Sequence, residues 1–309
     1  MQARTSIRGV VAAIATPVDA AFQPNARALV AHARWLFEHG CDGLNVLGTT
    51  GGFASFSVAQ RIGVMRALAE SGLSLDAMMV GAGASALDDA VELTKTAVAL
   101  GYGGTLLIPP FYYKNVTEDG IFAYVATLIE RVGAPDLRLY LYNFPAMSAV
   151  PYTVALVERL ITAYPRTIVG LKDSANDAAY CAALHRAFPE FAIFPSSESA
   201  LTTARRAGYA GCISATVNLT APLAGSIWHG TDDAQTDARQ TELAAIRDAI
   251  GRFPLIPAVH HLLDDLHGDA TWSNVAPPLR PLTADERAEL TALCGELLLR
   301  RERPGIPGR

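Results

Sequence analysis

Short apolar runs alternate with stretches of helical periodicity through the first two-thirds of the chain. Apolar runs at 10–15, 43–47, 78–81, 105–108, 137–143, 167–172, 192–194 and 211–214 read as strands bounded by glycine, proline or polar turns. Between them, helical patterns cover 25–39, 86–100, 118–132, 153–164, 177–188 and 200–207, and another helix opens at Ser57, whose partner Gln60 completes a capping box. Eight strand–helix steps of this spacing require parallel pairing, because each return to a parallel neighbour needs a crossover of a dozen or more residues. The economical closure is an α/β fold of the (β/α)8 TIM barrel kind. An open doubly wound sheet would carry a glycine-rich phosphate turn after its first strand, where this chain has Thr16-Pro17-Val18-Asp19. From about Pro222 the pattern is helical only, over 233–250, 255–266 and 284–299, the last opened by Thr283 and Glu286. The division expected is therefore a barrel over 1–221 and a C-terminal three-helix extension over 222–309, packed on the barrel.

Composition supports that core and narrows the partners. Of 309 residues 50% are hydrophobic and 18% charged, and the net charge of -5 gives no electrostatic reason to expect nucleic acid. The one basic run, Arg300-Arg301-Glu302-Arg303, ends a helix beside a Pro/Gly tail and reads as a solvated terminus. No segment approaches the ~20 apolar residues that span a bilayer, and the first apolar run is too short for a signal-peptide core. Cys41, Cys181, Cys212 and Cys294 are far apart with no C-x-x-C pair, which points to a reducing cytoplasm rather than a disulfide framework or zinc site. His260 and His261 are adjacent rather than a helical turn apart, and Asp88 and Asp89 fall on a helix face, so no metal is expected.

The 25 basic residues comprise 22 arginines and three lysines, Lys95, Lys114 and Lys172. Arginine replaces lysine on most solvated surfaces but stays protonated and cannot act as an amine. In a barrel the functional groups lie at the C-terminal ends of strands. Those ends read Gly48-Thr49-Thr50-Gly51-Gly52, Pro109-Pro110-Phe111-Tyr112-Tyr113-Lys114, Leu141-Tyr142-Asn143-Phe144-Pro145, Gly170-Leu171-Lys172-Asp173-Ser174 and Cys212-Ile213-Ser214-Ala215-Thr216. Alternation puts Ile168, Gly170 and Lys172 on one face. If that face is the lumen, burial disfavours the ammonium and supplies a neutral amine to attack a keto carbon, with Gly170 leaving room for a ligand. The alternative is a lysine snorkelling from the strand end or paired with Asp173. Tyr142, at the matching place on the neighbouring strand, is either a proton relay or a core tyrosine with a satisfied hydroxyl. The Thr49 and Thr50 hydroxyls and the flanking N–H groups suit a carboxylate, although an ordinary turn would look much the same.

Together, Gly48-Thr49-Thr50-Gly51, Tyr142-Asn143-x-Pro145 and Gly170-x-Lys172 resemble the dihydrodipicolinate synthase / N-acetylneuraminate lyase family of class I pyruvate aldolases. The match runs from Ala15-Thr16-Pro17 through the helical extension. The resemblance implies that Lys172 forms the Schiff base and that Tyr142 relays protons. It implies that the turn Gly48-Thr49-Thr50 holds the pyruvate carboxylate, with Thr49 joining the relay, and that Ile213 contacts pyruvate. Tyr113, or Tyr112 beside it, matches a tyrosine that crosses a dimer contact, and a homotetramer built as a dimer of dimers is implied. No cofactor is needed. Two positions depart from the family pattern: Gly52 stands where a glutamate is usual, and Met147 where dihydrodipicolinate synthases carry an arginine that clamps the second substrate's carboxylate. A thioether cannot make that bidentate pair. Pro145-Ala146-Met147-Ser148 is closer to the sialate lyase pattern, and Ser174, Ser197 and Glu198 are candidates to meet substrate hydroxyls, unless they are simply surface polar groups. The activity implied is cleavage to, or condensation from, pyruvate, on a 2-keto-3-deoxy sugar acid or sialate-like substrate. Dehydration of such an acid shares the intermediate. The alternatives are 4-hydroxy-tetrahydrodipicolinate synthase, joining pyruvate to aspartate semialdehyde, and a non-catalytic barrel that binds 2-keto acids.

Overall fold

Eight strands, β1 (Gly9–Ala13), β2 (Gly43–Val46), β3 (Met78–Gly81), β4 (Gly104–Leu107), β5 (Leu139–Asn143), β6 (Ile168–Asp173), β7 (Ala192–Pro195) and β8 (Gly211–Ser214), form one sheet in the order β7-β6-β5-β4-β3-β2-β1-β8. Every ladder is parallel. The β7–β8 seam is bridged by the Ala210 N–H, which donates to the Ile193 carbonyl at 3.0 Å, so the barrel is nearly closed. The structure is a computed structural model that describes residues 7–299; the first six residues and the basic run at 300–303 lie outside it. Strand residues are almost all buried, because helices cover the outside and side chains fill the lumen.

The helices are α1 (Ala26–Glu38), α2 (Val58–Ala69), α3 (Leu87–Leu100), α4 (Glu118–Val132), α5 (Pro145–Ser148), α6 (Val154–Ala163), α7 (Ala178–Ala187), α8 (Leu201–Arg206), α9 (Val217–Trp228), α10 (Ala234–Ile250), α11 (Leu255–His267) and α12 (Ala284–Leu299). Asn25, Ser57, Thr117, Thr153, Asp177 and Asp233 each cap a helix by accepting a first-turn N–H, and the Ser57–Gln60 box is complete. The expected division at 221/222 falls inside α9. Pro222 normally ends a helical pattern because it lacks an N–H. Here its ring is exposed, while Ala221, Leu223 and Ala224 are buried against the barrel, and that packing carries the helix through. α9 packs both on β1 and on α10, so it joins the barrel to the C-terminal helices.

One register detail corrects the reading of β6. Leu139 pairs with Ile168 but Tyr140 pairs with Gly170, so Val169 is an extra residue at a bulge. Ile168 consequently clusters with Leu171 among the helix-facing residues, while Gly170 and Lys172 face the same side as Tyr140 and Tyr142. Gly170 does not leave room for a ligand either. A Cβ there would meet the Tyr140 ring at 2.6 Å, as would one at Gly104. Tyr140 thus fills the lumen below the strand ends and accepts the Ile7 N–H at 3.3 Å.

A buried polar chain ties α1, α9 and α11 to the barrel top. Asn218 donates to the Ala13 and Ala215 carbonyls at 2.8 and 2.6 Å, so its Oδ1 is left to accept from the Ala15 N–H and from His32 Nε2 at 3.1 and 3.0 Å. His32 Nδ1 then accepts from His267 Nε2 at 2.9 Å. Burial, with the nearby His267, lowers the His32 pKa from 6.5 to about 3, and burial lowers that of His260 to about 4. Both folded values lie below the unfolded one, so the unfolded chain binds more protons as pH falls below 6.5 and stability declines with it. Denaturant titrations between pH 6.5 and 5, above the main carboxylate range, should show a slope approaching two protons, about 2.7 kcal/mol per pH unit. A flat profile there would mean that neither imidazole is buried neutral.

Candidate active site

Register sets the centre of the site. Tyr142 and Lys172 are direct partners across β5 and β6, one residue from the C-terminal end of each strand. Lys172 is 5% exposed and its Nζ sits over the Tyr142 ring, 4.5 Å from the centroid. The Tyr142 hydroxyl lies 3.2 Å from Thr49 Oγ1. Asp173, the alternative partner for the lysine, points elsewhere. Its carboxylate accepts from Asn143 Nδ2 at 2.8 Å and from the Ala175 and Asp177 N–H groups at 3.2 and 3.1 Å. Among the described residues no carboxylate pairs with Lys172, and its burial removes the snorkelling alternative.

The neighbouring strand ends hold this pair rigidly. Asn143 accepts the Tyr152 N–H at 3.1 Å through its side chain and the Ser174 N–H at 2.8 Å through its backbone. The Thr49-Thr50 turn needs its glycines for space: a Cβ at Gly48 would meet Asn45 Oδ1 at 2.3 Å, and one at Gly51 would meet the Ile14 carbonyl at 2.9 Å. Gly52 lies at φ +68° and opens the short turn Phe53–Ser55. A glutamate would be strained in this left-handed conformation, which is the local reason for glycine here.

A cavity of about 340 Å³ stands over Lys172. Thr49, Thr50, Tyr142, Lys172 and Ser174 line one side of it, joined by Asn176 and Ser196. Phe144, Met147, Leu255, Ile256 and Leu279 supply apolar wall. Met147 is 61% exposed on α5, at the rim. Among the described residues no group of three or more His, Cys, Asp or Glu is gathered as metal ligands.

Several expected residues stand apart from this cavity. Gly48 shapes the turn without lining the cavity, and Ile213 is fully buried opposite Val11, so Ala215, two residues on, lines the cavity beyond β8. Glu198 is fully buried. Its carboxylate accepts from the Ser214, Thr216 and Thr220 hydroxyls, and its backbone carbonyl accepts from Gln240. It is thus a tie between β7, β8 and the two following helices, because three buried hydroxyls converge on it. Ser197 lines a neighbouring hollow instead. Tyr112 and Tyr113, 74% and 73% exposed, stack edge-on beyond β4 outside the cavity. Strand-end reasoning missed Arg247, Leu255 and Ile256, which reach the cavity from α10 and α11. No local signal marks them, since they serve the site only because the extension folds back over the barrel mouth.

Known proteins resemble this chain over nearly its whole length. The profile described as the Dihydrodipicolinate synthetase family matches residues 6–296. The chain is 32% identical over 296 residues to an uncharacterized DapA-like lyase of Chloroflexus aurantiacus, covering 92% of this chain and 95% of that one. It is 31% identical over 284 residues to 4-hydroxy-tetrahydrodipicolinate synthase of Rhizobium meliloti, covering 90% and 95%. Among solved structures, dihydrodipicolinate synthase from Agrobacterium tumefaciens superposes with a TM-score of 0.86 at 28% identity, covering 94% of this chain and 99% of that one. The chain therefore belongs to the dihydrodipicolinate synthetase family, within the superfamily of class I pyruvate-dependent aldolases and lyases.

Proposed function

We propose that this chain is a Schiff-base lyase or aldolase that holds pyruvate, or the pyruvate half of a 2-keto acid, on Lys172. The observation that carries this reading is a buried lysine with no carboxylate partner among the described residues, set against a tyrosine whose hydroxyl meets Thr49 Oγ1 at 3.2 Å. The neutral amine attacks the keto carbon to give a carbinolamine, and Tyr142 with Thr49 passes the protons that let water leave. The Thr49-Thr50 turn offers hydroxyls and N–H groups to the carboxylate. The resulting iminium is the electron sink. Deprotonation of the 4-hydroxyl breaks the C3–C4 bond, its electrons form the enamine, and the aldehyde leaves. Protonation at C3 and hydrolysis then release pyruvate and restore the amine. Condensation is the reverse; in dehydration the same iminium gives up a C3 proton to form the enamine, which expels the protonated 4-hydroxyl as water and leaves an unsaturated iminium for hydrolysis. The iminium does the work a metal or organic cofactor would otherwise do.

For the other half of the substrate we favour a 2-keto-3-deoxy sugar acid or a sialate-like acid, with Ser174, Asn176 and Ser196 meeting hydroxyls. Borohydride reduction in the presence of pyruvate tests the reading. Pyruvate should become fixed to the peptide containing Lys172, and absence of any adduct would favour a non-catalytic 2-keto-acid-binding barrel. A screen of 2-keto-3-deoxy acids for pyruvate release then identifies the partner. The second reading, 4-hydroxy-tetrahydrodipicolinate synthase, is favoured by the Rhizobium meliloti relative and opposed by Met147. A coupled assay with pyruvate and aspartate semialdehyde decides between them: turnover near that of the sugar acids would favour the synthase. The exposed Tyr112–Tyr113 pair suits a contact with a second subunit in a homotetramer, and a cytoplasmic location goes with this reading. No helix among the described residues is long and apolar enough to cross a membrane.

A further inference from the structure

The cavity over Lys172 has a guanidinium in its wall. Arg247, near the C-terminal end of α10, lines it together with Met147 and Leu255. Its Nε is buried without a hydrogen-bond partner, and among the described residues no carboxylate or carbonyl receives its guanidinium. Arg61, which unlike the half-buried Arg247 is fully buried, donates to the Gly83 and Gly81 carbonyls at 3.0 and 2.7 Å. Leaving a partly desolvated guanidinium without an acceptor is costly, so an anion that completes it is favoured.

The position of Arg247 says which anion. Beside the cavity lies a more open hollow of about 540 Å³, lined by Ser197, Ser199, Asp248 and Arg252, and Asn176 and Arg247 belong to the walls of both. Arg247 therefore stands where the two spaces meet, within the wall of the cavity that also holds Lys172. The planar guanidinium fork matches a carboxylate with two parallel hydrogen bonds. A phosphate dianion is less well served, because Asp248 offsets Arg252 in the outer hollow and Arg247 is the only arginine lining the inner one among the described residues. Met147, at the same cavity, has no charge to offer.

We infer that Arg247 binds a carboxylate at the far end of the substrate, so that the preferred 2-keto-3-deoxy acid is a dicarboxylate. This deepens the proposed function and rests on it. The test uses two 4-hydroxy-2-keto acids of equal chain length, one ending in a carboxylate and the other in a primary alcohol. Consumption is followed by chromatography so that cleavage and dehydration both register. The wild-type kcat/KM should favour the dicarboxylate by roughly 10²-fold, as expected for a charge-assisted bidentate pair. In Arg247→Met that ratio should collapse toward one, and Arg247→Lys should recover part of it, with thermal denaturation reporting the fold of each. Equal use of both acids by the wild type overturns the inference, as does a ratio that survives Arg247→Met. So does a preference for the phosphate ester of the alcohol over the dicarboxylate. Borohydride trapping of pyruvate by the wild type keeps the two failures apart. An adduct without a carboxylate preference removes only the role of Arg247, whereas no adduct removes the Schiff-base reading beneath it.

Discussion

Lys172→Met is expected to lower kcat by roughly 10⁴-fold or more while the protein stays folded. Methionine keeps the length and most of the volume of the lysine stem but has no nucleophile, so neither carbinolamine nor iminium can form. The substitution also has little to break. Lys172 is buried, its Nζ lies against an aromatic ring, and among the described residues no carboxylate depends on it. Replacing a buried, unpaired amine by an apolar group of similar size leaves stability within about 1.5 kcal/mol or raises it. Steady-state turnover, mass analysis after borohydride reduction and a thermal melt together check this. A variant that melts like the wild type and still turns over within tenfold of it would end the Schiff-base account of Lys172.

Tyr142→Phe should cost roughly 10²–10³-fold in kcat, the range of a general acid–base group. Only the hydroxyl is lost. The ring that faces Lys172 Nζ remains, and so does the packing of a residue that is itself almost fully buried. The effect should therefore appear in proton transfer rather than in binding. KM for the 2-keto acid should move little, and the borohydride adduct should still form, more slowly. Thr49 Oγ1 is the hydrogen-bond neighbour of that hydroxyl, so Thr49→Val combined with Tyr142→Phe should cost much less than the product of the two single effects. Full additivity would mean that the two hydroxyls do not act as one relay.

How far the site could be read in advance varied with distance along the chain. Lys172 and Tyr142 stood out because a barrel maps strand ends onto its mouth, and because a lysine in an apolar strand is conspicuous among 22 arginines. That Gly170 and Lys172 share one face followed from alternation over two residues, and the β5–β6 register then put that face on the side of Tyr140 and Tyr142. Over four residues the same rule failed at Ile168, because one extra residue at the bulge turned the lower end of β6 round. Glu198 was assigned to the mouth from its place after β7. Three hydroxyls from β8 and α9 draw it inward instead, a convergence that spans 22 residues of sequence. Arg247 had no distinguishing mark, since an arginine in a helical pattern ordinarily reads as a solvated face.

Local pattern alone determined the strand and helix series, the parallel barrel, the capping residues and a single candidate amine in an apolar strand, because each depends on short-range periodicity and on which side chains can do the chemistry. Tertiary structure decided which face each end of β6 presents, that Tyr140 closes the lumen below the lysine, and that Pro222 stays within a helix. It also decided that α10 and α11 close the mouth with Arg247, Leu255 and Ile256. These are matters of packing between segments far apart in the chain, and free energy of that kind has no signature in the neighbours of any one residue.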